Sequence, residues 1–115
     1  MSAVFRLATS HFRLLFAVCA LVVLILALLP PSVPEPTTGW DKSNHLLAFG
    51  VLTMLGARGW PGRPWRLLVG MIAYGGLIEL LQSMTGYRDA SWLDLVADAC
   101  GIAIGMLFSY RAIRV

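Results

Sequence analysis

From Leu14 to Leu29 the chain carries no polar side chain other than Cys19, and Pro30-Pro31 closes the run. Such a stretch must be buried in a large core or in lipid. A chain of 115 residues has a large surface relative to its volume and needs polar residues to cover it in water. This chain does not have them. Hydrophobic residues make up 58% and charged residues 13%, where an ordinary soluble domain carries about 25% charged residues. A water-soluble monomer is therefore not expected, nor is disorder, which requires low hydrophobicity. What remains is one domain, residues 1–115, of a membrane protein or of an obligate partner of one.

Arg6, His11 and Arg13 precede the first run, as in a signal peptide, but no small-residue cleavage pattern follows it. An uncleaved first helix is expected. Three further apolar segments follow. The second begins near Asp41 and lies between Trp40 and Trp60, the third begins at Trp65, and the fourth runs from Trp92 to Tyr110. Twenty residues at about 1.5 Å each span about 30 Å, the thickness of the hydrocarbon core. Trp and Tyr at the span ends suit the headgroup level. The sequence thus predicts an all-α, polytopic bundle of four transmembrane helices, over about 14–30, 41–57, 66–83 and 92–109.

The basic residues orient it. With four spans, Arg6, Arg13, Arg58, Arg63, Arg66, Arg111 and Arg114 fall on one side, leaving Lys42 and Arg88 on the other. The positive-inside rule then makes both termini cytoplasmic and the protein a multi-pass protein of the bacterial inner membrane. These residues flank apolar runs and form no stripe with interleaved aromatics, so nucleic acid is not an expected partner. Cys19 and Cys100 have no CxxC or Cys/His metal spacing and read as small buried hydrophobes.

All six acidic residues (Glu35, Asp41, Glu79, Asp89, Asp94 and Asp98) fall on the outer side or in the outer halves of spans. Asp41 and His45 are one turn apart at the start of the second helix. Glu79 and Gln82 stand near the end of the third. Asp94 and Asp98 open the fourth, with Arg88 and Ser91 in the loop before it. Asp98 lies about 9 Å below Trp92 along the helix. Ionisable groups at such depth face the bundle interior or a wet cavity. Asp94, Asp98, Gly101 and Gly105 share a helical face. The GxxxG of Gly101 and Gly105 is expected to pack closely on another helix. The three polar pairs should converge in a pocket open to the outside. Capping of free N–H groups accounts for Asp41 and Asp94. It does not account for Glu79, near a helix C-terminus, or for Asp98, deeper in its helix.

The pattern Asp41-Lys42-x-x-His45, Glu79-x-x-Gln82, then Arg88-x-x-Ser91-x-x-Asp94-x-x-x-Asp98-x-x-Gly101 resembles the VanZ-like family of small bacterial membrane proteins, over about residues 14–108. The resemblance implies a membrane location and an envelope role, since the family is named for a protein associated with teicoplanin resistance. It implies no particular reaction. No Gly-rich phosphate loop, nucleophile elbow or HExxH motif is present, and no cofactor is assigned.

Two readings stand side by side. In the first, the chain binds or processes a lipid-linked phosphate or polar headgroup of an envelope precursor. His45, Glu79 and Asp98 are then the candidate catalytic residues, and Asp41, Lys42, Gln82, Arg88, Ser91 and Asp94 the candidate binding residues. His45, Glu79 and Asp98 could also hold a divalent metal. In the second, the polar cluster is non-catalytic and locks helix packing for a partner membrane protein or a homo-oligomer. A proton- or ion-coupled carrier is a third option, for which four spans are few.

Overall fold

The computed structural model describes residues 2–30, 41–88 and 91–109, apart from the side chains of Asp41 and Lys42. Within them lie four helices and no strand: α1 (Ala3–Leu28), α2 (Asp41–Gly59), α3 (Pro64–Thr85) and α4 (Trp92–Phe108). They form an elongated body of 48 × 23 × 23 Å.

Helix α1 extends well beyond the apolar run that predicts it. Ser2 starts it, its Oγ accepting from the Phe5 backbone N–H at 3.1 Å. Leu28 ends it before the prolines, which cannot continue a helix. Pro64 begins α3, where a missing N–H costs nothing. Gly86, at φ 78°, ends α3 in the left-handed conformation that glycine adopts without strain. Ser91 begins α4, its Oγ accepting from Leu93 N–H.

Consecutive helices run antiparallel. Helix α2 is central. It packs most extensively on α4 and next on α1, while α3 makes smaller contacts with the other three. Glycines permit the α2–α4 approach. A Cβ on Gly101 would collide with the Leu46 carbonyl oxygen, and one on Gly105 would lie 2.7 Å from both Gly50 O and Thr53 Cβ. The buried apolar core is small: Phe49, Leu52, Ala57, Leu67, Met71, Ile78 and Ile102.

The surface is the reverse of a soluble protein's. All four helices expose large apolar side chains, among them Leu14 and Leu21 on α1, Leu47 on α2, Val69 and Leu80 on α3, and Trp92 and Leu107 on α4. Glu79, Gln82, Asp94 and Asp98 are buried. Large apolar side chains exposed on every helix suit contact with lipid or another protein. Helices α1 and α3, at 26 and 22 residues, are long and apolar enough to cross a membrane.

Candidate functional site

One end of the bundle gathers the C-termini of α1 and α3 with the N-termini of α2 and α4. There His45 on α2 meets two aspartates of α4. His45 Nδ1–H donates to Asp98 Oδ1 at 2.8 Å, and Nε2 stands 3.9 Å from Asp94 Oδ2. Asp94 is 1% exposed and Asp98 3%. The spacing of four on α4 puts both carboxylates one turn apart on the face that also carries Gly101 and Gly105. Gly75 on α3 completes the enclosure. A Cβ there would lie 3.0 Å from Asp98 Oδ2 and 3.4 Å from the Phe49 ring.

Glu79 joins them from α3, 8% exposed. Its position near a helix C-terminus is explained by a different helix. Glu79 Oε2 accepts from the backbone N–H of Ser91, the residue that caps α4. In a capping box a glutamate of the same helix reaches back to that N–H. Here the neighbouring helix supplies the carboxylate, at the end of α4 where the dipole favours an anion. Glu79 Oε1 is buried without a hydrogen-bond partner among the described residues. Ligand atoms of His45, Glu79 and Asp98 all lie within 4.8 Å of one another, so these three could hold a metal ion.

Gln82 and Arg88 reach in another direction. Gln82 Nε2 donates to Ala27 O at 2.9 Å, Tyr87 Oη to Leu28 O at 2.6 Å, and Arg88 Nε to Leu29 O at 2.7 Å. Arg88 Nη2 also reaches Leu26 O. The last carbonyls of α1, which a helix end leaves without i+4 partners, are thus covered by side chains from the end of α3 and the turn after it, Leu26 O also accepting the backbone N–H of Leu29. Ser91 caps α4 and bonds Glu79 through its backbone. The side chains of Asp41 and Lys42 lie outside the described residues.

The opposite end has its own tie. Arg13 Nε donates to Gly59 O at 2.7 Å, its guanidinium lies 5.3 Å from the Trp60 ring centroid, and Phe16 packs edge-on to Trp60. Arg58 Nη1 reaches Ser109 Oγ at 3.2 Å and so joins α2 to the end of α4. A cavity of about 370 Å³ opens there, lined by Phe16, Trp60, Arg66, Leu67, Met71 and Tyr74 among others. None of its lining residues is a carboxylate or a histidine. The sequence pattern gave no sign of this cavity, which is assembled from α1, α3 and the α2–α3 turn.

The polar residues His45, Glu79, Asp94 and Asp98 therefore meet at one end of the bundle, held by three helices, and a family model describes this same stretch of chain. The match runs over residues 4–114, all four helices included. The chain belongs to the VanZ/LLP1 family. This membership bears out the resemblance seen in the sequence. No curated protein and no solved structure matches the chain. The VanZ/LLP1 match spans both halves of the cluster, α2 with His45 and the α3–α4 hairpin with the three acids.

Proposed function

We propose that this VanZ/LLP1-family chain is a multi-pass protein of the bacterial inner membrane whose four helices all cross the bilayer, with both termini cytoplasmic. Its polar end faces outward and binds or processes the headgroup or lipid-linked phosphate of an envelope precursor. His45, Glu79 and Asp98 form the reacting centre. Asp94 supports His45, Asp41 and Lys42 at the start of α2 bind the headgroup, and Gln82, Arg88 and Ser91 hold the helix ends around the centre.

The observation that carries this reading is the buried His45–Asp98 hydrogen bond inside a bundle whose outer surface is apolar. Ionisable groups placed there are costly, and in membrane proteins they mark sites that bind or move charge. Asp98 on Nδ1 selects the His45 tautomer and orients the ring, as a carboxylate does for an imidazole that handles protons. Asp94 and Glu79 add acceptors for the amine or hydroxyl groups of a headgroup.

A second reading has its own support. Glu79–Ser91, Gln82–Ala27 and Arg88–Leu29 each join two elements of the chain, as expected if the polar residues lock the helices for a homo-oligomer or a partner membrane protein. Conservative substitutions separate the two. In cells that depend on the protein, Glu79→Gln and Asp98→Asn should keep membrane expression and abolish the envelope phenotype, scored as teicoplanin susceptibility. Wild-type behaviour of both variants, with loss of the protein in Gly101→Leu, would leave the locking reading in place.

A further inference from the structure

We infer that His45, Glu79 and Asp98 form a binding site for a divalent transition-metal ion, Mn²⁺ or Zn²⁺, held by one imidazole nitrogen and two carboxylate oxygens. The inference rests on the outward-facing site proposed above and supplies what that site lacks. Three buried carboxylates repel a phosphate. An ion bound among them would attract one.

The two oxygens of Glu79 are in different states. Oε2 is committed to the backbone N–H of Ser91. Oε1 is buried with no hydrogen-bond partner among the described residues. A buried carboxylate oxygen without a donor is costly, and a cation would satisfy it. Ligation through Oε1 leaves the cap on α4 intact.

The separations suit an ion. Oxygen and nitrogen ligands about 2.1 Å from a tetrahedral ion lie about 3.4 Å apart. The three ligand atoms here are within 4.8 Å of one another, so side-chain rotations bring them to ligand distance without moving a helix. Gly75 leaves room beside Asp98 Oδ2. Nδ1 of His45 already faces Asp98 at 2.8 Å, and an ion entering there displaces the Nδ1 proton to solvent. Nε2–H then points toward Asp94, 3.9 Å away, the carboxylate that commonly stands behind a ligating histidine. Two carboxylates neutralise the ion's charge, which lowers the cost of burying it. One imidazole with two carboxylates is a donor set that both Mn²⁺ and Zn²⁺ accept.

The test uses the full chain purified in detergent without chelator. Elemental analysis should find about one Mn or Zn per chain, and chelator-stripped protein should rebind MnCl₂ or ZnCl₂ in calorimetric titration. Glu79→Gln and His45→Gln should each weaken binding more than about 100-fold, and Asp94→Asn by about 10–100-fold as an outer-shell change. Glu79→Gln keeps an oxygen for Ser91 N–H, so it preserves the fold, and helix content by circular dichroism checks this. Wild-type affinity in a folded Glu79→Gln variant overturns the inference. So does wild-type protein that binds neither ion, and a retained lipid would then leave the headgroup reading standing. A bound ion without any lipid or envelope phenotype would reverse that outcome, supporting the metal site and removing the headgroup reading.

Discussion

His45 and Asp98 are 53 positions apart in the chain and share a 2.8 Å hydrogen bond between α2 and α4. The bond sits on the most extensive helix interface of the molecule. It therefore belongs both to the packing and to the candidate chemistry.

Removing one partner should cost stability. Leaving a buried hydrogen-bond donor without its acceptor typically costs about 1–3 kcal/mol. Asp98→Ala should lower the thermal midpoint in detergent sharply, and Asp98→Asn, which keeps an acceptor oxygen, should lower it less. Equal midpoints for Asp98→Ala and wild type would remove the bond from the account of stability.

Glycine substitutions should divide by helix face. Gly101→Ala places a Cβ against the Leu46 carbonyl oxygen, and overpacking of this kind costs about 1–3 kcal/mol. Gly70→Ala and Gly76→Ala meet nothing within 4 Å and should gain about 0.5–1 kcal/mol from the lost freedom of glycine in a helix. Thermal denaturation of the three variants reads both signs.

The end of α1 should loosen when its caps are removed. Arg88→Ala frees Leu29 O and leaves Leu26 O with only the Leu29 backbone N–H, and Gln82→Leu frees Ala27 O. Each change should destabilise the fold by about 1–2 kcal/mol, with faster hydrogen exchange confined to the last turns of α1. Exchange that rises equally in all four helices would contradict a local capping role.

Topology is open to labelling. In a Cys19→Ala, Cys100→Ala background, cysteines at Ser2 and Arg63 should react with a membrane-impermeant thiol reagent only after the cells are opened. A cysteine at Thr37, between α1 and α2, should react in intact cells. Labelling of Ser2 and Thr37 from the same side would exclude α1 as a span.

The helices were legible because apolar runs, prolines and flanking tryptophans act locally. Spacing on a single helix also sufficed to place Asp94 and Asp98 on one face with Gly101 and Gly105. What crosses between helices was not legible. Glu79 looked misplaced beside a helix C-terminus, because nothing local says that its carboxylate serves the Ser91 N–H of the next helix. Gln82 and Arg88 looked like neighbours of the acids, yet their described bonds reach back to the carbonyls of α1. Arg13 served as a topology signal in the sequence, and in the fold it also covers Gly59 O and stacks on Trp60. The start of α1 was missed because its first turns are not densely apolar, although Ser2 is a cap residue.

Native mass spectrometry of the full chain released from its own membrane tests whether the polar end holds a lipid headgroup. Wild type should retain a lipid-linked phosphate or polar-headed lipid that is absent from folded Glu79→Gln and Asp98→Asn. Identical lipid adducts on all three proteins, or none on any, would contradict it.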